Sequence, residues 1–457
     1  MNENNNHTFQ IPDDLLRFLK NETYSLLIKG EPGRGKTALC LTILRVLNIK
    51  NNFFYISTRL SPNKLFYYFK WINKYLKNKN SNLNGKYSKN ENLFAPYFED
   101  ARLDEPESLF ERITNQLMDV RAPLIIVDSW DGIASFMDRE SRLNNERVLQ
   151  TWLERAGGRL ILVQEGTEIS TLDYLVDGVV TLRNKNYQGH ELREIYLNKL
   201  RGVNVTKKSF LFTLQDGIFR TIESYHDYLT SDPFFKSSIV TSNKFGSGYD
   251  VLNNDLNGGF LDNSTILIEY DFKIGLRGVM LFLLKFINES IQKPAKLFVE
   301  SSLIKSYYSI LTESNKDNFD NLTSISNFFK KSEVNSFQKN SLENITLSDS
   351  LNEELEKLEP DLPKFCIVDL DNYGQEIHYP ELSNLLKNHM NISLLIKKLE
   401  IQSRYSNFYD YHLQLSSVDR IFFITFTHPV SNIYVLEFKK NKIDGKLVYK
   451  FNLNRIF

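Results

Sequence analysis

Cysteine is nearly missing from this 457-residue chain, which holds only Cys40 and Cys366, each inside an apolar run. That scarcity argues against a disulfide framework or a thiolate metal site, and both thiols read as small core residues in a reducing, cytoplasmic setting. Histidine is sparse too. The seven, at positions 7, 190, 226, 378, 389, 412 and 428, include no i, i+4 pair and none beside a cysteine, so a His/Cys metal centre is not expected. Net charge is absent: 56 basic residues balance 56 acidic ones, and nothing draws the whole chain toward nucleic acid or anionic lipid. No apolar stretch is long enough to span a bilayer. The polar opening Met1-Asn2-Glu3-Asn4-Asn5-Asn6 is not a secretory leader, and no membrane partner is expected. What is present is globular, 42% hydrophobic and 25% charged. The length exceeds one ordinary core and predicts two or three domains.

One run carries most of the chemistry. Gly30-Glu31-Pro32-Gly33-Arg34-Gly35-Lys36-Thr37 has the G-x-x-x-x-G-K-T (Walker A) spacing. It follows the apolar Tyr24-Ser25-Leu26-Leu27-Ile28 and precedes the helical run Ala38 to Leu44, the strand–loop–helix context the pattern requires. Glycines let phosphate oxygens reach backbone N–H groups. Lys36 is spaced to reach β- and γ-phosphates, Thr37 offers a hydroxyl to Mg²⁺, and the helix N-terminus adds partial positive charge. The ligand expected is a nucleoside triphosphate, ATP with Mg²⁺, held by residues 30–38 and Asp128. Asp128 ends the run Leu124-Ile125-Ile126-Val127, where a carboxylate can support Mg²⁺ opposite Thr37 as a Walker B acid does. Asp131 reads as either part of this group or a turn and cap residue.

An internal repeat divides the chain. Apolar runs at Leu26 to Ile28, Phe53 to Ile56, Leu124 to Val127, Leu160 to Val163 and Ile195 to Leu197 are mostly separated by helical segments such as Glu107 to Met118 and Glu146 to Glu154. The order recurs at Thr265 to Ile268, Lys296 to Val299, Phe365 to Val368, Ile392 to Ile396 and Ile433 to Leu436. Gly35 to Asp128 is 93 residues and Gly275 to Asp369 is 94; Gly35 to Lys199 is 164 and Gly275 to Glu437 is 162. Strands alternating with helices predict an α/β fold with a mainly parallel sheet. The domains expected are 1–223 and 243–457, joined by a linker at 224–242. Two polar runs, Lys77 to Asn92 and Asn315 to Asn352, read as mobile loops with too little apolar content to pack.

The loop, Leu124 to Ser129 and Lys199-Leu200-Arg201-Gly202 together resemble the KaiC/RadA-like branch of the RecA superfamily of ATPases. Gly246-Ser247-Gly248-Tyr249-Asp250, Leu252 and Gly258-Gly259-Phe260 resemble the opening segment of KaiC domains. The first copy opens differently, through Ile11-Pro12-Asp13-Asp14-Leu15-Leu16. With Tyr55 to Arg59 and Val127 to Asp131 it resembles the archaeal GvpD-type proteins, KaiC-related P-loop proteins named for a regulator of gas-vesicle synthesis. The resemblance implies two tandem RecA/KaiC-like domains.

It also implies roles for further residues. The family's water-orienting Glu ends the second core strand, where this chain has Ser57-Thr58-Arg59 and no acid, so slow hydrolysis is expected. Arg59 then meets a phosphate or an acidic partner, or lies in solvent. Gln164 and Glu165, at a strand's carboxyl end, sit in the ligand crevice as γ-phosphate sensor and replacement acid, or have a plain structural role. Lys199 and Arg201 match a pair that reaches a neighbouring domain's γ-phosphate, or they are snorkelling surface cations. In the second copy Tyr270, Leu276 and Arg277 stand where Gly30, Lys36 and Thr37 stood, and Glu437 replaces Lys199. This copy is expected not to bind ATP, and Glu300 reads as a relic.

Three functions suit these residues. The favoured one is an ATP-binding regulatory switch acting on a protein partner, with weak or absent ATPase activity and a possible homo-oligomer, ring or dimer. A RadA-paralogue-like DNA recombination accessory is the alternative, resting on the short basic clusters Lys207-Lys208 and Lys439-Lys440-Asn441-Lys442. A scaffold that uses ATP only as a folding cofactor is the third.

Overall fold

The computed structural model describes residues 10–77, 98–102, 123–187, 190–222, 244–291, 295–308, 322–331, 345–373, 379–399, 409–428, 432–443 and 446–455. The chain divides into two compact units, Met1–Ile222 and Glu223–Phe457. The expected linker, the helix expected over 107–118 and nearly all of the polar run 77–92 lie outside the described residues.

In the first unit the strands are β1 (Tyr24–Gly30), β2 (Phe53–Ser57), β3 (Phe98–Asp100), β4 (Leu124–Asp128), β5 (Arg159–Glu165), β6 (Gly178–Tyr187), β7 (His190–Leu200), β8 (Ser209–Thr213) and β9 (Arg220–Thr221). They form one sheet in the order β3-β2-β4-β5-β1-β6-β7-β8-β9. Neighbours from β3 to β6 run parallel, and β7 to β9 extend the sheet antiparallel. Every residue of β1 is buried. Leu26 and Ile28 pack with the helix Lys36–Val46, while Leu27 packs on the other face with Trp130 and Ile133. Side chains alternate faces along a strand, so a strand covered on both sides needs the unbroken apolar run seen there.

The second unit contains β10 (Lys244–Phe245), β11 (Phe260–Leu261), β12 (Ser264–Tyr270), β13 (Lys296–Glu300), β14 (Leu322–Ile325), β15 (Phe329–Lys331), β16 (Ile345–Leu347), β17 (Lys364–Asp369), β18 (Ile392–Lys398), β19 (Tyr411–Val418), β20 (Ile421–His428), β21 (Asn432–Ile443) and β22 (Lys446–Arg455). Its main sheet runs β14-β13-β17-β18-β12-β19-β20-β21-β22. Strand by strand this is the order of the first sheet, with the same parallel block and the same antiparallel end. The core again alternates. Ile266 and Ile268 face the helix Gly275–Ile291, and Leu267 faces Leu382 and Leu386. The expected pair of tandem α/β sheets flanked by helices is therefore present.

Two details correct the sequence reading. The run 315–352 is not simply a polar loop: β14 extends the main sheet, β15 pairs with β16, and Ile325, Phe328, Phe329, Leu347 and Leu351 are buried in one core. A few apolar side chains at the right spacing outweigh the polar majority around them. The match of Lys199 to Glu437 also fails. Lys199 faces Val179 across β6–β7, and His428 faces His412 across β19–β20, with a bulge at the same step in both pairs. Lys199 thus corresponds to His428, whereas Glu437 lies on β21, the counterpart of β8. Similar Ile-Tyr runs sit on different strands of the two meanders, and spacing alone cannot tell adjacent strands apart.

Candidate functional site

Parallel pairing brings the carboxyl ends of β1, β5, β4 and β2 together, with Gly30 opposite Glu165 and Ser57 opposite Asp128. Ligand crevices of open α/β sheets form at such ends. Between β1 and the helix Lys36–Val46 the chain turns through Gly30, Gly33 and Gly35 at φ 154°, 78° and 95°. At Gly30 a Cβ would stand 2.5 Å from the Leu182 carbonyl oxygen, so no side chain fits. No side chain caps the helix at Gly35, which leaves its first turn open to an anion.

Lys36 is buried and folds back over the loop. Its Nζ donates to the Gly30 and Glu31 carbonyls at 2.6 and 2.8 Å and to Glu165 Oε2 at 2.9 Å. Glu165 Oε1 lies 3.1 Å from Arg59 Nη1, and the Glu165 N–H donates to Asp131 Oδ2 at 2.6 Å. Asp128 Oδ2 accepts from Thr37 Oγ1 and from the buried Tyr55 hydroxyl, both at 2.6 Å. Burial, and next the Asp128 charge, push the Tyr55 hydroxyl far above its usual pKa, so it stays a donor. Arg34 folds onto Glu31 at 2.5 Å.

Two clefts flank the loop. One of about 630 Å³ is lined by Glu31, Arg142, Gln164, Glu165 and Thr167 among others. The other, of about 720 Å³, lies over the β6–β7 hairpin beside Arg34, Thr181, Arg183 and Asn198. Gln164 Oε1 accepts from Ser170 Oγ at 2.9 Å, tying it to the 166–175 segment rather than to the loop.

The other two candidates are engaged elsewhere in the same unit. Lys199 Nζ donates to the Asp173 and Val176 carbonyls at 3.0 and 2.6 Å, at the end of the helix Thr171–Leu175. Burial, and then the neighbouring Arg201, lower its pKa. Arg201 Nη1 donates to Asp177 Oδ1 at 3.1 Å. Asp177 in turn holds Ser25, near the start of β1 and five residues, roughly 16 Å, along the strand from Gly30, so Arg201 is tied to the far end of β1 from the loop.

A family model, the P-loop domain of the GvpD gas vesicle protein, matches residues 15–198. Protein GvpD1 of Halobacterium salinarum is 30% identical over 284 residues, 56% of this chain and 50% of that protein. Residues 15–198 of the chain form a P-loop domain similar to that of GvpD. Protein GvpD2 of the same organism is 29% identical over 275 residues, 54% of this chain and 52% of its own length. The chain thus spans about half the length of the curated relatives it matches. A P-loop domain implies a bound nucleotide, usually with Mg²⁺. The residues of this GvpD-like loop fit that group: a cradle at Gly30 that a Cβ would fill, an uncapped helix turn, a buried lysine, and a Thr–Asp pair of hard oxygen donors. Among the described residues, no helix is long and apolar enough to cross a membrane.

In the second unit the matching positions are filled differently. Tyr270, at the place of Gly30, is buried in the core that the helix Gly275–Ile291 also joins, and its hydroxyl points to Asp371 at 3.4 Å. Glu300 accepts from the Asp369 N–H at 2.6 Å and from Asn372 Nδ2 at 3.0 Å. It is a buried structural acceptor here. Burial raises the pKa of both Glu300 and Asp369.

Sequence reasoning missed Lys29 and Tyr55. Lys29 is almost fully buried and pairs with Asp173 at 2.9 Å, and it also donates to the Glu168 carbonyl. It pins the segment carrying one cleft wall to β1. A lysine inside an apolar strand was the available signal. Nothing marked Tyr55, whose hydroxyl gains its role only when β2 lies beside β4.

Proposed function

We propose that the chain is an ATP-binding regulatory protein that hydrolyses ATP slowly or not at all and passes its nucleotide state to a protein partner. The observation that carries this reading is the pairing of an intact phosphate cradle with an unequipped strand end. Lys36, Thr37 and Asp128 stand ready for a triphosphate and Mg²⁺, yet β2 runs into Ser57-Thr58-Arg59. There Thr58 Oγ1 accepts from the Ser129 N–H at 2.8 Å, so it serves the backbone and not a water. Binding without an orienting acid at the end of β2 favours a long-lived bound state over turnover, and a long-lived state suits regulation.

Thr37 and Asp128 would hold Mg²⁺, which supplies charge neutralisation for the phosphates. Lys36 binds the phosphates, and the glycines admit their oxygens to the backbone. Lys199 and Arg201 would meet a neighbouring domain, within one chain or in a homo-oligomer, only after leaving their present partners. The second unit acts as a non-binding relative of the first. The gas-vesicle connection belongs to the name of the matched family, and the partner is left to experiment. The test is ATP turnover and particle size of the full chain beside Lys36→Ala. Slow turnover with an ATP-dependent size change in the wild type alone is expected. Equal turnover in both proteins would remove the loop from the chemistry.

A further inference from the structure

Glu165 is placed between two cations, and each of its carboxylate oxygens serves one of them. Oε2 takes Lys36 at 2.9 Å and Oε1 takes Arg59 at 3.1 Å. The backbone beneath is fixed: Glu165 lies opposite Gly30 in the β1–β5 ladder, and its N–H is held by Asp131 at 2.6 Å. Only the side chain is left to move.

Lys36 has three N–H donors, and all three are engaged, two by loop carbonyls and one by Glu165. An incoming phosphate must therefore take a donor from one of these acceptors. The carboxylate is the partner that a phosphate replaces charge for charge, because two anions on one ammonium repel each other. Displacing Glu165 from Lys36 also frees its hold on Arg59. Arg59 is half exposed, and its planar fork matches phosphate oxygens. The carboxylate has somewhere to turn, since the cleft that Glu165 lines also carries Arg139 and Arg142.

We propose that Glu165 is a built-in stand-in for the terminal phosphate of the nucleotide, and that Arg59 is the residue that reads that phosphate. The site then distinguishes a nucleoside triphosphate from a diphosphate, because only the longer ligand takes over both of the cations that Glu165 bridges. This rests on the nucleotide-binding reading given above and adds to it the property a switch needs, namely discrimination between the two nucleotide states.

The test is a binding titration of the full chain with ADP and with a non-hydrolysable β,γ-imido ATP analogue, Mg²⁺ present, for wild type, Arg59→Gln, Glu165→Gln and Lys36→Ala. Arg59→Gln is expected to weaken the triphosphate analogue by about tenfold while leaving ADP unchanged, the loss of one charge-assisted contact. Glu165→Gln is expected to tighten the triphosphate analogue by a similar factor and ADP by less, because the internal competitor is gone. Because Arg59 reaches into solvent, its replacement should leave the unfolding midpoint unchanged, and that measurement is made on the same samples. A wild type that binds both nucleotides through Lys36, with the ADP-to-ATP-analogue ratio unmoved in Arg59→Gln, overturns this proposal alone. Loss of all binding in the wild type, or binding equal in Lys36→Ala, overturns the nucleotide reading beneath it.

Discussion

Asp410 holds Thr265 twice, accepting from its backbone N–H at 2.8 Å and from its hydroxyl at 3.1 Å. Asp177 does the same to Ser25, at 3.1 and 2.8 Å. In each unit an Asp just before the strand that follows the central one clamps the start of that central strand, and a cation grips the clamp from outside, Lys387 in one case and Arg201 in the other. The clamp is a signature of the tandem repeat that no apolar pattern reveals.

The first prediction concerns this clamp. Asp410→Ala leaves the buried Thr265 N–H short of an acceptor, while the hydroxyl keeps Ser383 Oγ at 2.9 Å; the loss costs about 1–3 kcal/mol. Amides of β12 should then exchange with solvent about ten- to a hundredfold faster, read by hydrogen exchange with mass spectrometry. The clamp is also pH-dependent. Burial opposes ionisation of Asp410, but hydrogen bonds from Lys387 and Thr265 outweigh it and hold its pKa below the ordinary value of 3.8. The folded state therefore binds that proton more weakly than the unfolded chain does. The contribution is present above the unfolded value and is lost as the pH falls through the folded one. Protection of β12 should decline below about pH 4 in the wild type, and much less in Asp410→Ala. An identical acid response in both proteins would remove Asp410 as the cause.

The second prediction separates two glycines of one loop. Gly30→Ala puts a Cβ 2.5 Å from the Leu182 carbonyl and keeps φ at 154°, so the loop must move, at about 2 kcal/mol or more. Gly33→Ala meets nothing within 4 Å and bears only its φ of 78°, at roughly 1–2 kcal/mol. Nucleotide affinity, measured by calorimetry, should fall further in Gly30→Ala than in Gly33→Ala. The reverse order would mean that the cradle is shaped by something other than the approach to β6.

Much of this site was legible as a string of residues. The phosphate loop is contiguous, its flanking strand and helix are contiguous, and Asp128 ends an apolar run. What was not legible depends on register between strands far apart in sequence. Glu165 reaches Lys36 only because β5 lies beside β1 with Gly30 opposite Glu165. Tyr55 reaches Asp128 only because β2 lies beside β4. The repeat was visible in the spacing of apolar runs, yet the same method mistook β21 for β20, since a meander of similar strands carries no local mark of order. The run 315–352 was misread for the opposite reason: its composition is polar, but Phe328, Phe329 and Leu351 sit where they can be buried together.

The third prediction concerns the metal. Asp128 Oδ2 already collects hydroxyl donors from Thr37 and Tyr55, and an ion entering there would take the place of the Thr37 proton as partner. Asp128→Asn keeps a hydrogen-bond acceptor but loses the charge that a divalent cation needs. Mg²⁺ should strengthen ATP binding to the wild type, and in Asp128→Asn that gain should shrink by about tenfold, the size of a charge-assisted contact. The check is ATP-analogue titration with and without Mg²⁺. A gain equal in both proteins would place the metal elsewhere.

The fourth prediction is a stoichiometry. The second unit has Tyr270 where the first has Gly30, and a Tyr ring buried in the core cannot withdraw from the phosphate path without opening a cavity. Leu276 stands in the place of the binding lysine. Its strand ends gather Glu300, Asp369 and Asp371, and Asp369, whose pKa is raised by burial and then by Asp371, marks that corner as hostile to further negative charge. Steric and electrostatic terms thus act in the same direction, and reversing one alone would not rebuild a site. Calorimetric titration of the full chain with the ATP analogue should give one nucleotide per chain, and Lys36→Ala should give none. Two equivalents in the wild type, with one surviving in Lys36→Ala, would show that the second cradle still binds.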